Sequence, residues 1–157
     1  MPEYKQTYDS KRVFTGGESS MRVFNRMVAG LTKLGLSLMG SRVLSVRGRK
    51  SGEWRSTPVN LLVIDGQRYL VAPRGHTQWV KNLRATPEAL LQLGRRTETF
   101  RAVELTDADK LPVLRLYLKK WSWEVGAFFE GDVTKTSPDE VLHHIAPGVP
   151  AFRITPA

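Results

Sequence analysis

The chain has 157 residues, 41% of them hydrophobic and 25% charged, and no cysteine. That length suits one domain with one sizeable core, and the hydrophobic share is too high for a disordered chain and too low for a bundle of membrane spans. The missing cysteines exclude disulfide scaffolds, thiol nucleophiles and cysteine-ligated zinc or iron–sulfur sites, and the net charge of +9 points to an anionic partner.

Residues 1–18 are polar, close with Gly16-Gly17 and read as a flexible N-terminal arm. The rest, 19–157, reads as a single domain. Ser19 or Ser20 caps a helical pattern in which Phe24, Met27, Val28, Leu31, Leu34 and Leu38 share one face. Arg22, Arg26 and Lys33 interrupt this stretch, and it starts too late for a secretory signal, so it predicts neither a membrane span nor a leader. Cytoplasmic residence is the default expectation. Covering a sheet is the preferred role for such a basic amphipathic helix, and peripheral contact of 21–40 with an anionic membrane is the alternative.

After Gly40 the apolar period shortens. Val43–Val46 reads as a strand, followed by a turn over Gly48–Gly52 and a longer strand over Trp54–Ile64. Asp65-Gly66 between alternating runs marks a hairpin, so Arg68–Ala72 should pair back. A short helix is expected over Thr77–Ala85 with Trp79, Val80 and Leu83 inward, then a second hairpin from Glu88–Leu93 and Glu98–Leu105. Asp107 is placed to cap a helix running to about Trp121, with Leu111, Leu114, Leu118 and Trp121 on one face. Pro147–Pro150 reads as a loop and Ala151–Ile154 as a last strand. These elements predict an α+β fold: a small, mainly antiparallel sheet, closed or nearly closed, with flanking helices.

The charge is uneven: residues 1–40 carry +3, 41–101 carry +8 and 102–157 carry −2. Arg47, Arg49, Lys50 and Arg55 surround the Gly48–Gly52 turn, where successive backbone N–H groups can form a nest for phosphate. Standard catalytic motifs are missing. There is no G-x-S-x-G elbow, no G-x-G-x-x-G fingerprint, and the P-loop's first glycine is replaced by Val43. His143 and His144 point about 100° apart on a helix, so no metal site is expected. Trp79 and Asn82, three apart, share a helix face that can offer a flat surface and an amide to a planar ligand, or else serve core and backbone.

The run Gly48-Arg49-Lys50-Ser51-Gly52, then Arg55 and Pro58, resembles the G-R-K-[ST]-G-x-x-R-x-x-P signature of the deazaflavin-dependent nitroreductase family of actinobacteria. Asp65-Gly66, Leu70-Val71-Ala72, Trp79-Val80-Lys81-Asn82-Leu83, Phe100–Glu104 and Pro150–Arg153 follow that family's pattern in the same order. The resemblance spans roughly residues 40–155 and implies a six- to seven-stranded split β-barrel of the FMN-binding split-barrel type. It also implies the cofactor, coenzyme F420 (8-hydroxy-5-deazaflavin), whose phosphate and glutamate tail suits the basic middle of the chain.

By that resemblance Arg49, Lys50, Ser51, Gly52 and Arg55 hold the phosphate and tail, with Pro58 completing the cofactor-binding signature. Ala72 and Arg74 lie along the ring or phosphate, and Trp79 with Asn82 completes the pocket. The expected activity is hydride transfer from reduced coenzyme F420 to an apolar or planar electrophile: a quinone, nitroaromatic, enone or lactone. No side chain is required for the hydride step. The acceptor-facing wall is assigned to Tyr117, Trp121 and Phe128, within a segment that also holds Trp123 and Phe129, and Tyr117 is the candidate proton donor. Two other readings stand beside it: a split-barrel protein binding FMN, haem or a fatty acid without catalysis, and, ranked last, a nucleic-acid-binding module. The latter lacks aromatic interleaving, since Trp54 and Tyr69 are the only aromatics between 41 and 75.

Overall fold

Alternation of apolar and polar residues along six segments produces six antiparallel strands. A computed structural model describes residues 41–93, 95–125 and 133–157. The expectations for the 1–18 arm, the 21–40 helix, Phe128 and Phe129 lie outside the described residues, and the side chain of Trp123 is outside them as well. The strands are β1 (Ser41–Arg47), β2 (Trp54–Ile64), β3 (Gln67–Val71), β4 (Glu88–Leu93), β5 (Arg96–Glu104) and β6 (Ala151–Pro156). Asp65 and Gly66 turn β2 into β3 with φ of 50° and 78°, the paired positive dihedrals that a two-residue hairpin turn matched to strand twist demands.

The strands close in the order β1-β2-β3-β6-β5-β4, and β1 completes the circuit by pairing with both β2 and β4. This is the split-barrel architecture that the resemblance implies, with six strands. Every strand sends side chains inward: Leu44, Val59, Leu70, Leu91, Phe100 and Phe152 fill the interior together with their neighbours. Helix α1 (Gln78–Ala85) packs against β1 and adds Val80 and Leu83 to the same interior. Two residues along from Leu70 and Phe100, on the same face, Arg68 and Glu98 form a two-armed ion pair at 2.6 and 2.7 Å. The hydrogen bonds from Arg68 hold the Glu98 carboxyl below its ordinary range.

A second core lies outside the barrel. Helix α2 (Leu111–Val125) packs on β2 and β3, and α3 (Asp139–Ile145) packs on α2. Leu62 of β2, Val71 of β3 and Ala151 of β6 meet Leu114, Leu118, Leu142 and Ile145 there. Three sequence expectations change. Asp107 does not cap α2: a 3₁₀ turn over Ala108–Lys110 precedes the helix, and the Asp107 carboxylate instead accepts from Lys110 Nζ at 2.8 Å. Helix α3 was not anticipated, although Pro138, the acidic Asp139 and Glu140 in its first turn and two histidines in its last are ordinary helix-end signals. The Pro147–Pro150 loop includes part of a 3₁₀ turn over Ala146–Gly148.

Tyr117 and Trp121 also sit differently from the acceptor-facing wall that the sequence suggests. Each is 2% exposed, and their rings lie 5.0 Å apart within the outer core, not on an open wall facing an acceptor. The cause is helical spacing: Leu114, Leu118 and Trp121 recur on one face, so the turn that buries the leucines buries the indole too. No described helix is long and apolar enough to cross a membrane. Trp121→Ala is therefore expected to destabilise the fold by about 3–5 kcal/mol, read as a lower midpoint in denaturant unfolding. A change below about 1 kcal/mol would contradict a core role.

Candidate functional site

The turn joining β1 to β2 is built from its own backbone. Gly48 N–H donates to Glu53 O at 2.8 Å, Gly52 N–H donates to Gly48 O at 2.8 Å, and Ser51 Oγ accepts from Glu53 N–H at 3.2 Å. Arg47 Nη1 donates to Gly52 O at 3.0 Å, while its guanidinium lies 4.1 Å over the ring of Trp54, its register partner across the two strands. That stack orients the Trp54 indole, 43% exposed, beside the turn. Gly52 has φ of +74° with open space around the position of a Cβ, so only backbone conformation demands glycine there.

Asn82 of α1 reaches the turn from the barrel side. Its Oδ1 accepts from the backbone N–H of Arg49 at 3.1 Å and from Arg49 Nη1 at 2.8 Å. Asn82 is 5% exposed, and its oxygen serves both the backbone and the side chain of Arg49. Within the turn, among the described residues, no hydrogen bond engages the backbone N–H of Lys50 or Ser51. Two amides, the Lys50 ammonium and the exposed Arg49 and Arg55 side chains therefore lie in or next to one short segment. Among the described residues Arg55 meets Glu53, at 3.6 Å with both side chains largely in water, a contact that neutralises little.

The other expected residues sit differently. The Ala72 methyl lies in the barrel interior, its N–H donates to Pro150 O at 2.8 Å and its carbonyl accepts from Gly75 N–H at 3.0 Å. Ala72 thus shapes the loop after β3. Arg74 is half-buried in that loop. Trp79 is half-buried against Phe152, ring centroids 6.0 Å apart, and Pro58 is half-buried on β2 opposite Val43.

Beyond this loop lies a polar network that the sequence did not reveal. Arg84 at the end of α1 donates through Nε and Nη2 to both oxygens of Glu104, at 2.7 and 2.6 Å, and through Nη1 to His76 Nδ1 at 2.8 Å. His76 Nδ1 is therefore the acceptor, which leaves the ring proton on Nε2, 3.3 Å from Pro147 O. Lys110, 3% exposed, donates to the adjacent carbonyl, Ala146 O, at 2.8 Å. Burial pushes His76 below its ordinary 6.5, outweighing the hydrogen bond to Pro147, and the Arg84 cation adds to the fall. His76 belongs to this structural network, so a ligand-lining role is not needed to explain it.

These features generate two predictions. Because folded His76 resists a proton that the unfolded chain accepts near 6.5, stability is complete above that pH. It declines as pH falls from there through the lowered folded value. His76→Gln should flatten that part of the stability–pH curve, measured by denaturant midpoints across the range. Separately, Gly52→Ala should cost about 1 kcal/mol of stability through its positive φ alone, and it should weaken anion binding at the turn more than that loss explains. Calorimetric unfolding beside a binding titration checks both parts.

A family model described as F420H(2)-dependent quinone reductase matches residues 20–124. None of the curated proteins matches the chain. Among solved structures, one described as a domain-swapped dimer aligns with a TM-score of 0.54 at 18% identity, covering 88% of this chain and 95% of its own. An F420-H2 dependent reductase aligns at 0.50 and 19% identity over 74% of this chain and 94% of its own. General Stress Protein 26 from Bacillus anthracis aligns at 0.50 and 12% identity over 87% and 88%. At these identities the structures establish the shared fold. The family match, which spans most of the chain and contains both the β1–β2 turn and Asn82, goes further: this protein belongs to the F420H2-dependent quinone reductase family and is an F420H2-dependent reductase with coenzyme F420 as its cofactor.

Proposed function

We propose that the Gly48–Gly52 turn holds the anionic phosphate and tail of coenzyme F420, and that the reaction delivers a hydride to a planar apolar electrophile of the quinone class. The observation that carries this reading is the turn itself. It offers two unengaged backbone N–H groups, of Lys50 and Ser51, beside three exposed cations, on a loop pinned from the barrel by Asn82. That donor set fits a phosphate or carboxylate, because N–H dipoles and a nearby ammonium both stabilise negative charge.

When bound in reduced form, the cofactor supplies a hydride from C5. The chain's own work is to bind, orient and shield. Arg49, Lys50, Arg55 and the turn amides hold the tail, with Gly52 setting the turn's path and Ser51 Oγ bracing Glu53 N–H. Arg74 and Trp79, half-buried on the loop and helix after β3, are the side chains we assign to the ring side. Ala72 contributes through the position of the loop. Quinones take up a proton after the hydride, and burial of Tyr117 favours water as its source. Nitroaromatics, enones and lactones share the flat electrophilic character and are secondary acceptors under the same reading.

Mixing the protein with reduced coenzyme F420 and a soluble naphthoquinone should restore the absorbance of the oxidised deazaflavin. NADPH in its place should give no turnover, because the described residues form an antiparallel barrel and no Rossmann unit for a dinucleotide. Lys50→Ala should raise the cofactor Kd about tenfold, which is ~1.4 kcal/mol. Its salt dependence should be shallower than that of the parent protein. Fluorescence quenching at two ionic strengths measures both, and salt-independent binding unchanged by the substitution would overturn the assignment.

A further inference from the structure

The turn is braced from within by Gly48, Ser51, Gly52 and Glu53, and from neighbouring elements by Arg47 of β1, which donates to Gly52 O, and by Asn82 of α1, which holds Arg49. We propose that Asn82 is a positioning residue of the anion site, acting on the turn through Arg49 and not through contact with the cofactor. This rests on the tail-binding role proposed for the turn.

Three observations carry it. First, an amide oxygen has two lone pairs, and both acceptor sites of Asn82 Oδ1 are taken by Arg49, at 3.1 Å from the backbone N–H and 2.8 Å from Nη1. Second, Asn82 is buried and lies on a helix whose Val80 and Leu83 are embedded in the barrel interior, so its oxygen is fixed relative to β1. Third, the contact removes the Arg49 amide from the set available to an anion, which leaves the next two, of Lys50 and Ser51, as the nest. Arg49 correspondingly has one guanidinium arm directed back into the fold, and the freer cations are Lys50 and Arg55. The role differs from a ligand contact in one chemical respect. Positioning needs only the side-chain oxygen, whereas a contact to an anion would need the Nδ2 protons.

Asn82→Asp keeps the oxygen and loses the NH2, Asn82→Leu loses both, and Asn82→Ser is too short to accept both bonds. Hydrogen exchange of the Arg49 amide in the cofactor-free protein reads the brace directly. It should be slow in the parent and in Asn82→Asp, and fast in Asn82→Leu and Asn82→Ser. For oxidised coenzyme F420, Asn82→Leu and Asn82→Ser should raise Kd about tenfold, while Asn82→Asp stays within about threefold of the parent. The titration is done at about 0.5 M salt, where the added charge is screened. If Asn82→Asp binds as poorly as Asn82→Leu, the amide donors touch the cofactor and the proposal is overturned. Slow Arg49 exchange persisting in both Asn82→Leu and Asn82→Ser also overturns it. Should Asn82→Leu fail to fold, Asn82→Ser against Asn82→Asp carries the same comparison. If the parent protein does not bind coenzyme F420, the tail-binding role of the turn fails. The exchange data still decide whether Asn82 braces the turn.

Discussion

Closure of the barrel through β1 is the constraint on which everything else depends. β1 donates and accepts along both edges, to β2 and to β4, so no strand edge of the six is left open and the inward face of every strand is mainly apolar, with the Arg68–Glu98 pair on that face of β3 and β5. Residues Arg47 and Trp54 end the pairing in register, and the chain between them has to turn within six residues. The turn is therefore held at one end of a rigid cylinder. Because Val80 and Leu83 of α1 are part of the cylinder's filling, the helix that carries Asn82 is rigidly tied to the same strand that leads into the turn.

The electrostatics follow from that geometry. Arg68, Arg84 and Arg101 each find a carboxylate on another element, at 2.6 to 2.8 Å, so much of the positive charge in the middle of the chain is already balanced. Lys110, buried beneath the 3₁₀ turn at 146–148, is balanced by Asp107 and a carbonyl. The charges around the β1–β2 turn are different. Arg49 meets a neutral amide, Arg47 a ring face, and Lys50 no carboxylate among the described residues. The excess positive charge is concentrated around that turn, while ion pairs between elements balance cations elsewhere.

Hydride transfer from a carbon donor asks little acid–base chemistry of a protein, and this fold provides little. Its two polar networks, the part-buried Arg68–Glu98 pair on the barrel and His76–Arg84–Glu104 beside α1, use their titratable groups to join elements. Both place a group whose pKa is displaced by structure instead of by a catalytic task, which explains why His76, conspicuous in the sequence, resolves into a strut between α1 and the turn at Pro147.

The strands and the β2–β3 hairpin were legible in the sequence because their information is local. Alternation with period two, Asp65-Gly66 and the Gly-bracketed basic run each act over a few residues, and the turn's charge is visible in the sequence directly. Asn82 was visible as a polar residue on a helix, but its partner is 33 residues away, so two uses of the amide stayed open until the fold brought Arg49 to it. Tyr117 and Trp121 were ambiguous for the same reason. Aromatic surface looks the same in a sequence whether it faces a ligand or a second core, and only packing of α2 on β2, β3 and α3 chose the latter. The sequence by itself determined the strand pattern, the family and the Gly-bracketed basic turn. Which side chains brace that turn and which are buried was decided by tertiary structure, because burial and hydrogen-bond partnership depend on contacts between residues far apart in the chain.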